Sequence, residues 1–146
     1  MREIIPTVPG TYILLLRLAQ SQTVTVGRLG EFRLSGGLYA YVGSAQGPGG
    51  LRARVGRHLR QDKTLRWHID ALTTTAVVDS VWYDTSSLRL ECTWAEALAQ
   101  TPGITRPIPG FGSSDCDCLA HLFYIPAPLI EQVWQVLDQP LVYEPK

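Results

Sequence analysis

The feature that most restricts the fold is the run Thr-Tyr-Ile-Leu-Leu-Leu-Arg-Leu at residues 11–18, which follows the turn signal Val8-Pro9-Gly10. It is apolar and rich in β-formers, and it reads as a central strand. The segments after it are short and are broken by glycine. Residues 22–26 predict a second strand, Gly27-Arg28-Leu29-Gly30 a turn, and residues 31–34 another short strand. Ser35-Gly36-Gly37 breaks the chain again, and residues 38–43 predict a strand ending in Gly43. The opening therefore predicts a small β-meander whose strands are mostly antiparallel and joined by hairpins.

Helical periodicity begins after Gly47-Pro48-Gly49-Gly50. In residues 51–60, Leu51, Val55 and Leu59 recur every four positions and put an apolar stripe against the core. Arg54 and His58 are also four apart, so they share a face beside that stripe. Gly56 weakens this helix by roughly 1 kcal/mol against alanine, which points to close packing there. Residues 66–72 predict a short helix, 76–83 a strand and 89–99 a helix. Residues 102–114 form a proline- and glycine-rich loop. Residues 121–125 predict a strand and 129–137 a final amphipathic helix, with Leu129, Val133 and Leu137 on one side. The sum is an α+β domain, a small and mostly antiparallel sheet flanked by helices. At 146 residues and 45% apolar content the chain suits one domain, residues 1–146, with 101–146 as a C-terminal extension packed on it.

The charges balance, 13 basic against 13 acidic, but they are not evenly spread. Arg52, Arg54, Arg57, Arg60, Lys63 and Arg66 fall within residues 51–68, opposed only by Asp62, while acidic residues dominate the later half. This predicts one cationic face suited to a phosphate-bearing partner. No apolar run has the length of a membrane-spanning helix, and the N-terminus lacks a signal-peptide pattern; the expectation is a cytoplasmic protein with no membrane association. Cys92, Cys116 and Cys118 do not make a disulfide framework and are expected as thiols.

Three features then occur in a telling order: a strand that begins Gly10-Thr11-Tyr12, a strand that ends Tyr41-Val42-Gly43, and a helix carrying Leu51-x-x-Arg54-Val55-x-x-His58. This ordered set resembles the GIY-YIG nuclease superfamily over roughly the first two-thirds of the chain. The resemblance implies two tyrosine motifs on adjacent strands, a helix bearing an essential arginine, and a later helix whose glutamate holds one divalent metal. Three positions depart from the pattern. Thr11 replaces isoleucine, the two motifs are further apart than in a tight hairpin, and Ser44 stands where the repair enzymes often have lysine. A strand near residues 31–34 would absorb the extra length. The stretches Arg66-Trp67-His68-Ile69-Asp70, Glu91-Cys92 and Gly110-Phe111-Gly112-Ser113-Ser114-Asp115-Cys116 resemble a subgroup of that superfamily found alone or joined to DNA-repair domains.

What this implies is a metal-dependent endonuclease acting on nucleic acid, DNA rather than RNA. Phosphodiester hydrolysis needs an activated water, donors for the phosphoryl charge and help for the leaving oxygen. Tyr12 is the expected base and Tyr41 the orienting or relay group; His58 would accept a proton or bind phosphate. A tyrosine base needs nearby cations, because a free phenol ionises only near pH 10. Arg54 would contact the scissile phosphate, since guanidinium matches its geometry and stays charged. Glu91 would hold one Mg²⁺ or Mn²⁺, with Glu96 as the fallback. Arg52, Arg57, Arg60, Lys63, Arg66 and His68 are the expected nucleic-acid contacts, and Tyr39 shares a sheet face with Tyr41 and would line the cleft. A protein partner would supply targeting. Two other readings stand beside this one. The first is a nucleic-acid-binding module that keeps the fold and no longer cuts. The second is a zinc-stabilised domain using Cys116, Cys118 and His121, with Cys92 completing the set, although Cys-x-Cys is not the usual ligand spacing.

Overall fold

The computed structural model describes residues 5–60, 68–86, 89–111 and 120–145. Its centre is β1 (Gly10–Leu18), which is buried along nearly its whole length. Such a strand needs partners on both edges and cover on both faces. It pairs antiparallel with β4 (Gly37–Ala45) on one edge and with β5 (Val77–Asp84) on the other. β6 (Leu122–Ile125) and β7 (Leu141–Tyr143) add the outer strands, giving one antiparallel sheet in the order β6-β4-β1-β5-β7.

The opening meander is corrected by this pairing. β2 (Gln22–Val26) and β3 (Gly30–Leu34) do not stand between β1 and β4; they form a separate two-stranded sheet. The burial pattern gives the reason. β2 alternates open and buried residues, with Val24 and Val26 turned inward, so it suits a hairpin lying on one face of a core. The hairpin's inward residues join the cluster above Tyr12, Leu14 and Leu16.

Alternation along β1 splits the core into two layers. Tyr12, Leu14, Leu16, Tyr39 and Tyr41 face α1 (Gly50–Leu59), α2 (Asp70–Thr73) and the hairpin. Ile13, Leu15, Ala40 and Val42 face Trp94, Ala95 and Leu98 of α3 (Glu91–Ala99) and Val133 of α4 (Ile130–Val136). The domain is thus α+β, with a five-stranded and a two-stranded antiparallel sheet and four helices among the described residues. None of the described helices is long and apolar enough to cross a membrane.

Most expected elements lie within two residues of the observed ones. The short helix expected at 66–72 is the single turn α2, and residues 61–67 lie outside the described ones. In α1 the buried stripe is Leu51, Val55 and His58, with Leu59 only half-buried. Spacing of four then three keeps these side chains on one line, so the histidine and not the second leucine meets the sheet.

Candidate active site

The two glycines of the paired tripeptides have distinct steric tasks. Tyr12 stands opposite Gly43 in the β1–β4 register. A Cβ on Gly43 would run into the Tyr12 ring and hydroxyl, so the missing side chain is what lets the phenol lie across β4. A Cβ on Gly10 would meet the Asp84 carbonyl and come within 2.8 Å of Leu51 Cδ1, so this glycine seats α1 against the sheet. Helix α1 is fixed at its start by the preceding chain: Leu51 N–H donates to the Val8 carbonyl and Arg52 N–H to the Pro6 carbonyl.

That placement brings His58 beneath the phenol. Tyr12 Oη and His58 Nε2 are 2.7 Å apart, and both residues are buried. Tyr41 meets the same imidazole edge-on and also packs edge-on against Phe111. His68 packs against Phe111 with the two rings tilted. Burial pushes the Tyr12 phenol well above its ordinary value, and neighbouring Tyr41 pushes it further; the Arg54 guanidinium opposes both by charge and by hydrogen bonding, while Glu91 raises it again. At neutral pH Tyr12 is therefore a neutral phenol. Arg54 is half-buried, and its Nη1 donates to the Ser44 carbonyl at 3.1 Å. A backbone oxygen thus aims Arg54, whichever side chain occupies position 44. Outside it, a shallow cleft of about 160 Å³ is lined by Ala45, Gly47, Pro48, Gly50, Ala53, Arg54 and Arg57.

Glu91 comes from the other layer. It opens α3, where Leu90 N–H donates to Thr11 Oγ1 at 3.2 Å. Thr11, at the position where the resemblance has isoleucine, is thus the peg that locates the start of this helix beside Tyr12. The Glu91 carboxylate, 29% exposed, lies 3.3 Å from Nδ1 of the buried His121. His121 is held on both sides by main chain: its N–H donates to the Phe111 carbonyl at 2.7 Å, and its carbonyl accepts from Val42 N–H at 3.0 Å. Tyr12, Tyr41, Arg54, His58 and Glu91 are thereby gathered into one region, although they span 80 positions of chain.

The family model for the domain of unknown function DUF123 matches residues 11–140. The chain belongs to the DUF123 family. No curated protein and no solved structure matches it. The DUF123 match runs from Thr11 past His121, so it takes in every residue of this cluster.

Not every expected site residue of this DUF123 member joins the cluster. Arg57, read as a nucleic-acid contact, forms a two-pronged ion pair with Asp70 at 2.9 and 3.0 Å. Asp70 is fully buried, and a carboxylate there requires a counter-charge, so Arg57 has a framework task. Arg52 is exposed, with Nε donating to the Ile5 carbonyl, and Arg60 is exposed at the end of α1. Lys63 and Arg66 lie outside the described residues. His68 is half-buried and braces Phe111. Tyr39 does not open into the cleft: it is buried, its hydroxyl donates to the Ser35 carbonyl at 2.6 Å, and its ring packs edge-on against Tyr124. Glu96 is exposed and accepts from Gln100, which leaves Glu91 as the carboxylate near the tyrosines.

Among the described residues no group of three or more His, Cys, Asp and Glu could cage a metal. A single partly exposed carboxylate still fits a hard divalent ion that takes its other oxygens from water and substrate phosphate. Of the expected zinc set, Cys116 and Cys118 lie outside the described residues; Cys92 is exposed on α3 and His121 is buried beside Glu91. Sequence reasoning placed His121 only in a possible zinc set and Thr11 only as a departure from the motif, and missed both as neighbours of Glu91. Each is set there by strand pairing or helix docking, and no local spacing signals that.

Proposed function

We propose that this chain is a metal-dependent endonuclease that hydrolyses phosphodiester bonds, in DNA rather than RNA. The observation that carries the proposal is the 2.7 Å contact between Tyr12 Oη and His58 Nε2, with Arg54 and Glu91 both near enough to act on that phenol. The ordered likeness to GIY-YIG nucleases supports the same reading.

The chemistry follows from the side chains. Arg54, aimed by the Ser44 carbonyl and bordering the cleft, grips the scissile phosphate and offsets charge that grows on its oxygens. Tyr12 is protonated at rest, so it cannot act as a standing phenolate. It takes a proton from the attacking water as it hands its own to His58 Nε2, which requires the resting imidazole to carry its hydrogen on Nδ1. Tyr41 fixes the imidazole edge-on and orients the water. Glu91 would hold the divalent ion, Mg²⁺ or Mn²⁺, which when bound supplies positive charge to the phosphate and the leaving oxygen. Arg52 and Arg60 contact flanking phosphates, and a protein partner delivers the domain to its target.

One observation favours a second reading, a binding module of the same fold that does not cut: Tyr12 is 1% exposed and Tyr41 8%, so little of either phenol meets solvent. Nicking of supercoiled plasmid, with a parallel assay on structured RNA, separates the two. The nuclease cuts with Mg²⁺ or Mn²⁺ and loses cutting in Arg54→Ala and Glu91→Ala. Binding without metal-dependent cutting of any DNA or RNA form would replace the nuclease with the binding module.

A further inference from the structure

We infer that the ion at Glu91 is held by two protein ligands, Glu91 Oε2 and His121 Nδ1, and that this pair prefers a first-row transition ion to magnesium. The inference rests on the reading of Glu91 as the metal carboxylate. It deepens that reading by adding a ligand and a class of metal.

The separation is the first argument. Nδ1 and Oε2 are 3.3 Å apart. A charge-assisted N–H···O bond closes to about 2.7–2.9 Å. Two donors that share one ion at about 2.1 Å each stand roughly 3.0–3.4 Å apart, with the lower value for octahedral and the upper for tetrahedral geometry. At 3.3 Å the two groups form an ion pair too long for that bond, and their spacing falls within the second range. The two donors also come from different elements, the first turn of α3 and the residue before β6, so sequence proximity does not impose it.

Rigidity is the second argument. His121 is buried, and its main chain is tied to Phe111 and to Val42, the neighbour of the glycine on which Tyr12 rests. Glu91 is located by the Leu90 N–H to Thr11 bond, next to Tyr12 itself. Both donors are therefore referenced to the same two strands, β1 and β4. Glu91 bears on the ionisation of Tyr12, so an ion held between the two donors would act electrostatically on that phenol.

Donor chemistry is the third. Carboxylate with water suits Mg²⁺, whereas an imidazole nitrogen adds affinity that rises along the series from Mn²⁺ to Co²⁺ and beyond. The resulting site has one carboxylate, one imidazole and open positions for water and phosphate. Its ion preference differs from that of a carboxylate alone.

The experiment uses the full chain and the metal salts alone, without nucleic acid. Calorimetric titrations should give affinity rising from Mg²⁺ to Mn²⁺ to Co²⁺. His121→Ala should weaken Mn²⁺ and Co²⁺ by about 10- to 100-fold while changing Mg²⁺ by less than about threefold. Glu91→Gln should weaken all three by more than about tenfold. Pulsed electron paramagnetic resonance of bound Mn²⁺ should show the ¹⁴N coupling of one coordinated imidazole, absent in His121→Ala. Mn²⁺ bound without nitrogen coupling in the unaltered chain would overturn the inference, even if the variant fails to fold. So would coupling that survives His121→Ala, or a chain that binds none of the three ions. Nitrogen-coupled Mn²⁺ in a protein that cuts nothing would leave this metal site standing and defeat only the nuclease.

Discussion

Gly43→Ala tests the steric logic of the site. The change is mild for the backbone, because Gly43 is not among the residues with positive φ. On a strand, alanine for glycine should even stabilise by about 0.5–1 kcal/mol. The new Cβ, however, meets the ring and hydroxyl of Tyr12, which is held from behind by His58. Overpacking of this kind costs about 1–3 kcal/mol, and a strained or lost buried hydrogen bond adds about 1 kcal/mol. Set against the backbone gain, Gly43→Ala should therefore destabilise the fold by about 1–3.5 kcal/mol. In a Tyr12→Leu background the colliding Cζ, Cε2 and hydroxyl are gone, and the same change should cost less than about 0.5 kcal/mol. Urea unfolding followed by circular dichroism, comparing midpoints at constant slope, measures all four corners of the cycle. An equal penalty in both backgrounds would refute the argument, because the cost would then not come from Tyr12.

Four further outcomes are expected. Arg57→Met should remove the two-pronged counter-charge of the buried Asp70 carboxylate and cost about 3–5 kcal/mol, whereas Arg57→Met with Asp70→Leu should recover most of it; thermal unfolding reads both. Thr11→Val removes the acceptor for Leu90 N–H, so it should cost about 1 kcal/mol in stability and reduce metal-dependent cutting more than DNA binding, as seen by nicking and by fluorescence anisotropy. Arg52→Ala should weaken DNA binding evenly across sequences and lower the slope of log affinity against log salt by about 1, with the single-turnover rate unchanged. The folded chain keeps the Tyr12 proton that the unfolded chain loses near pH 10, because burial raises this phenol. Stability should be intact below about pH 10 and fall as the pH climbs toward the folded value, with Tyr39, pushed up to about 12, adding to the fall. In Tyr12→Phe the alkaline slope should be shallower by up to about 1.4 kcal/mol per pH unit.

Local pattern made much of the fold readable. β1 is legible because an unbroken apolar run between turn signals has few other fates, and α1 because Leu51, Val55 and Leu59 recur at helical spacing, although His58 and not Leu59 completes the buried stripe. Pairing was not legible in the same way. The glycine breaks suggested a meander, yet β1 is apolar on both faces and takes β4 and β5 as neighbours, which leaves the half-polar β2–β3 hairpin to cover one layer. β7 escaped notice because it is three residues long and follows Pro140. Within the site, Tyr12, Tyr41, Arg54, His58 and Glu91 carried sequence signals through their order. Arg57 looked like its basic neighbours, and only the buried Asp70 separates it from them. His121 stood out only as a possible zinc ligand with Cys116 and Cys118; its place beside Glu91 depends on the β4–β6 edge and on the chain at Phe111, which no local spacing signals.

The proton relay from water through Tyr12 to His58 is tested most directly by single-turnover cleavage of saturating duplex DNA in Mn²⁺, comparing the unaltered protein with Tyr12→Phe. The account requires cutting by the unaltered protein and a rate at least about 100-fold lower in the variant, at equal DNA affinity. Equal rates in the two proteins, or no cutting by the unaltered protein beyond that of Glu91→Gln, would contradict it.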